Sequence, residues 1–463
     1  MSQWIEQELY SSDLGDTRRN RRLVKLVQAL SAKPRASVPE ACGSWSATKA
    51  AYRFWDNDQV SDEAIRAGHI ESTRKRCEAS GTVLAIQDTS DLDYTSHPGT
   101  EGLGYLQPSY CQGLKVHSVF AVSSDGLPLG LVDQHIWARE VAEIGKNAAR
   151  KKKATVEKES QRWLEALSHT GDVLGSVKRV ITVADREADI YDLFAQGRVP
   201  GQELLIRAAQ DRCIEQSDAR LWQQLRQTAK AGEMELALKR RPDRAARQAL
   251  LSLRYTSVSI QPPRSYKGRA QLPSIKLQAL LAEEMPPPSD GGKPICWLLL
   301  TTLPIGCWDQ AMDCLRWYSY RWLIERYHYV LKSGCGIERL ELETAERLKR
   351  ALATYSLVAW RLLWLSYLAR QRPDQSCECA YEPIEWHALY ATIHQSGELP
   401  EAPPSLRQAV RWTAQLGGFL ARKSDGEPGV KTLWRGLQRL DDIVRTWKLA
   451  ATVAATNGFV GNA

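Results

Sequence analysis

Tyr318, Arg321, Glu325, His328 and Lys332 recur at helical spacing within one short segment. At 100° per residue they fall on one stripe of a helix, while Trp317, Ile324 and Leu331 form a separate apolar face. The stripe sets one carboxylate among a phenol and cations. A helix that holds a metal with its Glu and a phosphate backbone with its neighbours has this composition. So does a solvated helix with an Arg321–Glu325 i,i+4 ion pair. Two further acids bear on the choice. Asp88 follows the apolar run Thr82-Val-Leu-Ala-Ile-Gln87, and Asp185 follows Arg179-Val-Ile-Thr-Val-Ala184. Both runs read as buried strands. Acids placed directly after strands gather at one sheet edge, where a crevice can hold ligands. Glu325 can reach that edge from its helix.

Three bare carboxylates in one place repel and raise one another's pKa. Divalent cations remove that penalty. Mg²⁺ suits the set because it takes few carboxylates together with waters and phosphate oxygens. Two ions about 4 Å apart can activate a nucleophilic oxygen and stabilise the leaving oxygen of a phosphodiester. Each acid also has a plain structural reading. Asp88 can cap a strand end, with Asp91 and Asp93 as competitors. Asp185-Arg-Glu-Ala-Asp189 can be a helix N-terminus, where acids favour the dipole. The coincidence of two strand-end aspartates with a Glu-bearing helix favours the metal site.

The elements that must position these residues can be read from texture. Residues 1–70 are helical, with Asp16 as an N-cap. Arg18, Arg22 and Lys25 share one face, while Leu23, Val27 and Leu30 lie on another. A basic stripe of this kind suits DNA-backbone contact, or is a solvated face. A second helical piece carries Ala47-Thr-Lys-Ala-Ala-Tyr-Arg53-Phe-Trp55. From about 81 strands follow: 82–87, then Val116-His-Ser-Val-Phe-Ala-Val and Pro128-Leu-Gly-Leu-Val around the turn Ser124-Asp-Gly126. A charged helical segment starts at Lys151 and runs through Glu157-Lys-Glu159 to Trp163. Strand 179–184, a helix and strand 203–207 complete a βββαβα order, which predicts a mixed sheet with helices packed on it. Residues from about 210 to 292 read as an inserted antiparallel piece, with strands at Met234 and Ala249. Lys239-Arg-Arg-Pro-Asp-Arg244 is its basic loop, and Pro286-Pro-Pro-Ser-Asp-Gly-Gly its close. Trp297-Leu-Leu-Leu-Thr returns as a core strand. Residues 371–463 are helical, and 437–454 is either a partner-binding helix or one packed on its own domain.

The chain has 463 residues and 43% hydrophobic content, enough for two or three domains with real cores. Its net charge of +8 permits a polyanionic partner. The ten cysteines form no regular framework, and Cys377-Glu-Cys379 is a lone C-x-C pair, which fits a reduced cytosolic setting. The N-terminal segment does not read as a signal peptide. The apolar run 355–368 is short and interrupted by Arg361, so it reads as a buried helix and not as a membrane span. No Walker A, Rossmann or zinc-finger pattern is present, so nucleotide hydrolysis has no support.

Asp88-Thr, Asp185-Arg-Glu-Ala-Asp and Tyr318-x2-Arg321-x3-Glu325-x6-Lys332 resemble the DDE transposases with a Tyr-Arg-Glu-Lys signature. Within the insertion-sequence-four family, the similarity is greatest to the transposon-five branch. Leu14-Gly-Asp-x-Arg-Arg, Ala51-Tyr-Arg-Phe, Val116-His-Ser-Val, Glu157-Lys-Glu-Ser, Trp297-Leu-Leu-Leu-Thr and Leu416-Gly-Gly-Phe extend it in order over nearly the whole chain.

The resemblance implies an α/β fold: a ribonuclease-H-like mixed-sheet core with a β-rich insertion, flanked by helical N- and C-terminal domains. Residues 1–70 would bind DNA, 71–370 would be catalytic with the insertion at about 210–292, and 371–463 would dimerise. It implies a cut-and-paste transposase. Asp88, Asp185 and Glu325 would bind two Mg²⁺ ions, with Mn²⁺ as a substitute. Tyr318, Arg321, Lys332 and Arg207 would hold phosphates, and Trp297 would stack a flipped-out base. Arg18, Arg19, Arg22 and His328 complete the expected DNA contacts. The partners would be double-stranded DNA, at transposon ends and target, and a second copy of the chain, with no membrane and no nucleotide cofactor. The setting would be a bacterial, nucleoid-associated cytoplasm. Tyr329 departs from the pattern, standing where a basic residue is expected, which puts one backbone contact in doubt. A metal-dependent nuclease and a non-catalytic DNA-binding transposition regulator are the alternatives.

Overall fold

A computed structural model describes residues 3–140, 158–215, 219–238, 247–264, 266, 269–288 and 292–460. The chain opens with five helices: α1 (Gln3–Glu8), α2 (Thr17–Ala32), α3 (Val38–Cys42), α4 (Trp45–Trp55) and α5 (Asp62–Ser80). Asp16 caps α2 by accepting from the Arg18 N–H at 2.7 Å. Leu23, Val27 and Leu30 on the opposite face are fully buried. Gly43, with φ of 69°, turns the chain between α3 and α4, and Ser44 caps α4. The expected boundary at residue 70 falls inside α5, which is continuous to Ser80 and packs on the sheet. The first helices are therefore fused to the core through a shared helix.

Among the described residues the central sheet has ten strands. They are β1 (Thr82–Asp93), β2 (Gly104–Tyr105), β3 (Gln112–Ser123), β4 (Pro128–Trp137), β5 (Arg179–Ala184), β6 (Gln202–Arg207), β7 (Gly232–Leu238), β8 (Arg247–Ile260), β9 (Ile275–Glu284) and β10 (Cys296–Thr301). The order is β2-β3-β1-β5-β6-β10-β9-β8-β7, with β4 paired to β3. The β3–β4 hairpin turns at Gly126, whose φ of 92° suits a residue without a Cβ. β1, β5 and β6 run parallel, and the remaining pairings are antiparallel. This is the expected mixed sheet with helices on it, here α6 (Gln161–Leu174), α7 (Tyr191–Ala195) and α8 (Leu221–Gln227).

The inserted strands pair antiparallel, as expected. β10 pairs with β6 on one side and β9 on the other, so β9, β8 and β7 widen the same sheet. Pairing satisfies the edge of β6 that would otherwise be open. One expectation needs correction: the polar stripe from Tyr318 to Lys332 is not one helix. It spans the end of α9 (Trp308–Ser319), a break at Tyr320–Arg321, α10 (Trp322–Tyr329) and a π-turn (Val330–Gly334). The expected basic loop at 239–244, the start of the charged segment at 151–157 and residues 289–291 of the insert's close lie outside the described residues.

The helix α11 (Ala345–Gln371) follows and is buried along most of its length. Then come α12 (Pro383–His394), α13 (Leu406–Leu416) and α14 (Val430–Val460). Among the described residues no helix is long and apolar enough to cross a membrane.

Candidate active site

Strand register brings the two aspartates together. The parallel pairing of β1 with β5 ends at Ile86 opposite Val183. Two residues further along the chain stand Asp88, still in β1, and Asp185, just past the end of β5, in step with Leu84, Ile86, Ile181 and Val183 of one apolar core. Neighbouring strands lie about 4.8 Å apart, and the charge of Asp185 reaches the Asp88 carboxyl. Asp88 was expected just beyond a strand. It lies instead inside β1, which keeps pairing with β3 as far as Asp93 opposite Gly113. The crevice opens because β5 stops at Ala184 while β1 continues.

The helix α10 lies over the same face. Leu323, Ile324 and Tyr327 are fully buried in that core, and Tyr327 stacks on Phe120 at 4.9 Å between ring centroids. With those three residues facing inward, Glu325 is left at the exposed rim, paired to Arg321. Burial pushes the Asp88 carboxyl up to about 7; Arg321 works against that shift, and Asp185 and Glu325 add to it. Asp88 therefore feels the charge of both other acids. Asp91 and Asp93, the competing acids, are engaged elsewhere: Asp91 with Lys115, and Asp93 with the backbone N–H and hydroxyl of Thr95 at 2.9 and 2.6 Å.

Asp185 also fits its structural reading, since its Oδ1 accepts from the Glu187 N–H at 2.9 Å and caps a short 3₁₀ turn. Asp189 has a different task. It is buried, pairs with Arg212, and accepts from the N–H groups of Ala209 and Gln210 at 2.7 and 2.8 Å.

Among the described residues no three His, Cys, Asp or Glu side chains are already gathered to hold an ion. The donor chemistry nevertheless fits a hard divalent cation. Asp88 is a largely buried acid whose ionisation is opposed by two neighbouring acids, and a cation would reverse that balance. Glu325 would have to leave Arg321 to join it.

Cations and aromatics surround the acids. Burial opposes the charge on Arg321, but Glu325, Tyr318 and Asp88 more than restore it. Tyr318 is 4% exposed, and Arg321 and Arg207 lie close enough to act on its ionisation. Burial remains the main effect there and raises the phenol pKa. Trp297, half-buried on β10, packs edge-on against Tyr318 at 5.6 Å. Arg207 donates to the Cys296 carbonyl at 2.9 Å. Lys332 donates to the Asp91 carbonyl at 2.8 Å and pairs with Glu338 at 3.0 Å.

His328 does not line the surface. It is buried, with Nε2 3.3 Å from the Ser118 hydroxyl, and burial followed by the charge of Lys332 lowers its pKa to about 3. A neutral, enclosed imidazole offers no charge to a phosphate, so the expected DNA contact does not fit its position. Tyr329 is half-exposed, and its ring stands 6.0 Å from that of Trp434. In the N-terminal helices, Arg18 is exposed and bound to its own cap, Asp16, at 3.0 Å. Arg19 is tied to the Leu14 carbonyl and to Gln59, and Arg22 is partly buried.

One residue of the site was not visible in the sequence. The Arg162 guanidinium, from α6, donates to the Thr89 hydroxyl at 3.0 Å and to Glu187 at 2.8 Å. It bridges the residue after Asp88 to one just past Asp185. Only the three-dimensional packing of α6 on the sheet carries that signal.

Three family models match successive parts of the chain: Transposase DNA-binding over residues 1–60, Transposase DDE domain over 85–361, and Transposase Tn5 dimerisation domain over 357–457. The DDE match spans more than half of the chain and carries a ribonuclease-H-like fold and divalent-metal-dependent DNA cleavage with it. The flanking matches make DNA and a second copy of the chain its partners. Acids aligned on a central sheet, between a DNA-binding and a dimerisation region, thus agree with the sequence comparisons, and the chain belongs to the DDE-domain DNA transposases.

Proposed function

We propose that this protein is a cut-and-paste transposase of the transposon-five type. In this reading it cleaves transposon ends through a hairpin intermediate and joins the freed 3′-hydroxyl ends to target DNA. Asp88, Asp185 and Glu325 would hold two divalent ions, Mg²⁺ by preference and Mn²⁺ as a substitute. When bound, such ions supply Lewis-acid stabilisation of the attacking and leaving oxygens at phosphorus. The observation that carries the reading is that the charges of Asp185 and Glu325 both act on Asp88, where β1 and β5 run parallel and the Glu325 helix packs on their core.

The chain's own residues supply positioning. Arg321, Arg207 and Lys332 offer guanidinium and ammonium donors to phosphate oxygens, and Arg can engage two oxygens at once. Tyr318, beside Arg321 and Arg207, would add a hydroxyl to these donors. Trp297 would present a ring to an unstacked base, which makes the tight hairpin geometry accessible. First strand nicking, hairpin closure, hairpin opening and strand transfer are each an in-line displacement at phosphorus. One set of positioning groups therefore serves all four.

The test is a strand-transfer assay with end DNA already cut to a 3′-hydroxyl, beside a nicking assay on uncut ends. The proposal expects both activities, each dependent on divalent metal and each lost in Asp88→Ala, Asp185→Ala and Glu325→Ala while end binding persists. Cutting without joining would make the protein a nuclease. Binding with neither activity would make it a regulator.

A further inference from the structure

The helix carrying Glu325 does not finish in a regular turn. Residues Val330–Gly334 form a π-turn, closed by the Cys335 N–H donating to the Val330 carbonyl at 2.8 Å. Turns of this kind inside α-helices are uncommon and recur at functional sites. Here the turn wraps against one side chain, Trp434 of α14 in the C-terminal region. A Cβ on Gly334 would lie 2.9 Å from two carbons of the indole, so the ring rests directly on the backbone of the turn. Trp434 is 2% exposed, and Tyr329 at the end of α10 closes over it with its ring tilted at 40°. The indole N–H has no partner, so contact shape holds the ring in place.

Lys332 sits in the middle of this turn. In an uninterrupted α-helix it would follow Glu325 by seven residues and share its face. The wider winding of the π-turn changes the direction Lys332 takes from that pattern. From within the turn its ammonium meets the Asp91 carbonyl on β1 and Glu338. The direction of Lys332 relative to Glu325 therefore depends on the turn, and the turn is moulded on the indole.

We propose that Trp434 is a positioning residue for the active site: by supporting the π-turn it sets where the Lys332 ammonium stands relative to Glu325. This rests on the reading of Lys332 as a phosphate-holding group. It gives the C-terminal region a direct hold on the catalytic helix. Trp434 is itself too buried to touch DNA or a second copy of the chain.

Single-turnover nicking of end DNA by the full-length chain tests the proposal, using Trp434→Ala, Trp434→Phe, Lys332→Ala and the Trp434→Ala/Lys332→Ala pair. Misplacing a reacting group by an ångström can cost up to about a hundredfold in rate. We expect Trp434→Ala to slow nicking at saturating DNA about tenfold or more while leaving end affinity within about twofold, and Trp434→Phe to restore most of the rate. In the Lys332→Ala background, Trp434→Ala should cost less than about twofold further, because the group it positions is gone. An equal cost of Trp434→Ala in both backgrounds would overturn the proposal and leave Trp434 as packing alone. Wild-type nicking by Lys332→Ala would sink the phosphate role of Lys332 and this inference with it. Should Trp434→Ala not fold, Gly334→Ala presses a methyl onto the indole and gives the same comparison. Equal costs of Gly334→Ala with and without Lys332 would again overturn the proposal.

Discussion

Replacing Asp88 by Asn should stabilise the metal-free protein, and only above acid pH. Burial, then the facing acids, raise the Asp88 carboxyl from 3.8 to about 7. Between those two values the folded chain keeps a proton that the unfolded chain has lost, so stability falls as pH rises from about 4 to about 7. A shift of roughly 3 units corresponds to about 4 kcal/mol at 1.36 kcal/mol per unit. Nearly all of that penalty is present by pH 7, and little is added above it. Asn carries no charge at any pH, and its side-chain oxygen can still accept the Thr89 N–H bond that Asp88 accepts at 2.9 Å. Thermal midpoints in a chelating buffer should therefore match for the two proteins near pH 4. The Asp88→Asn midpoint should be higher at pH 8, the difference growing through pH 5 and 6. Adding a divalent cation at pH 8 should raise the wild-type midpoint and close the gap, because the ion binds only the folded site. A constant difference across the pH range, or an Asn variant that is less stable at pH 8, would refute the electrostatic reasoning.

Other substitutions separate the remaining roles. Trp297→Ala should slow hairpin formation and opening more than the first nick, measured by resolving the DNA products over time; an equal loss at every step would argue against base stacking. Arg18→Ala should weaken end binding and lower the slope of log affinity against log salt by about 1, and an unchanged slope would leave Arg18 as a cap partner of Asp16. Asp189→Ala strands the buried Arg212 guanidinium and should cost about 3–5 kcal/mol of stability. Unfolding by denaturant should show that loss, and wild-type stability in the variant would contradict the assignment.

Much of this arrangement is legible in the chain itself, and the exceptions have physical causes. Leu23, Val27 and Leu30 mark the buried face of α2 by simple periodicity, and Asp16 marks its start. Asp185 stands at the end of an apolar run that does end there. Asp88 looked like the end of its strand because the run after it turns polar. Yet β1 continues, since pairing with β3 supplies its hydrogen bonds out to Asp93. The polar stripe from Tyr318 to Lys332 presumes a constant 100° step, which the break at Arg321 and the π-turn at Val330–Gly334 interrupt. His328 matched the stripe but faces the core, because burial of the imidazole against Ser118 and the packed Tyr327 fixes that side of α10. Arg162 and Trp434 reach the site across long stretches of sequence, so no local pattern announces them.

The most direct measurement of the central claim is to load the protein with Mn²⁺ and locate the ion by its anomalous X-ray scattering. The account predicts scattering density bounded by the carboxylates of Asp88, Asp185 and Glu325, with Glu325 moved off Arg321. Mn²⁺ bound elsewhere in a preparation that nicks DNA, with those three side chains uncoordinated, would contradict it.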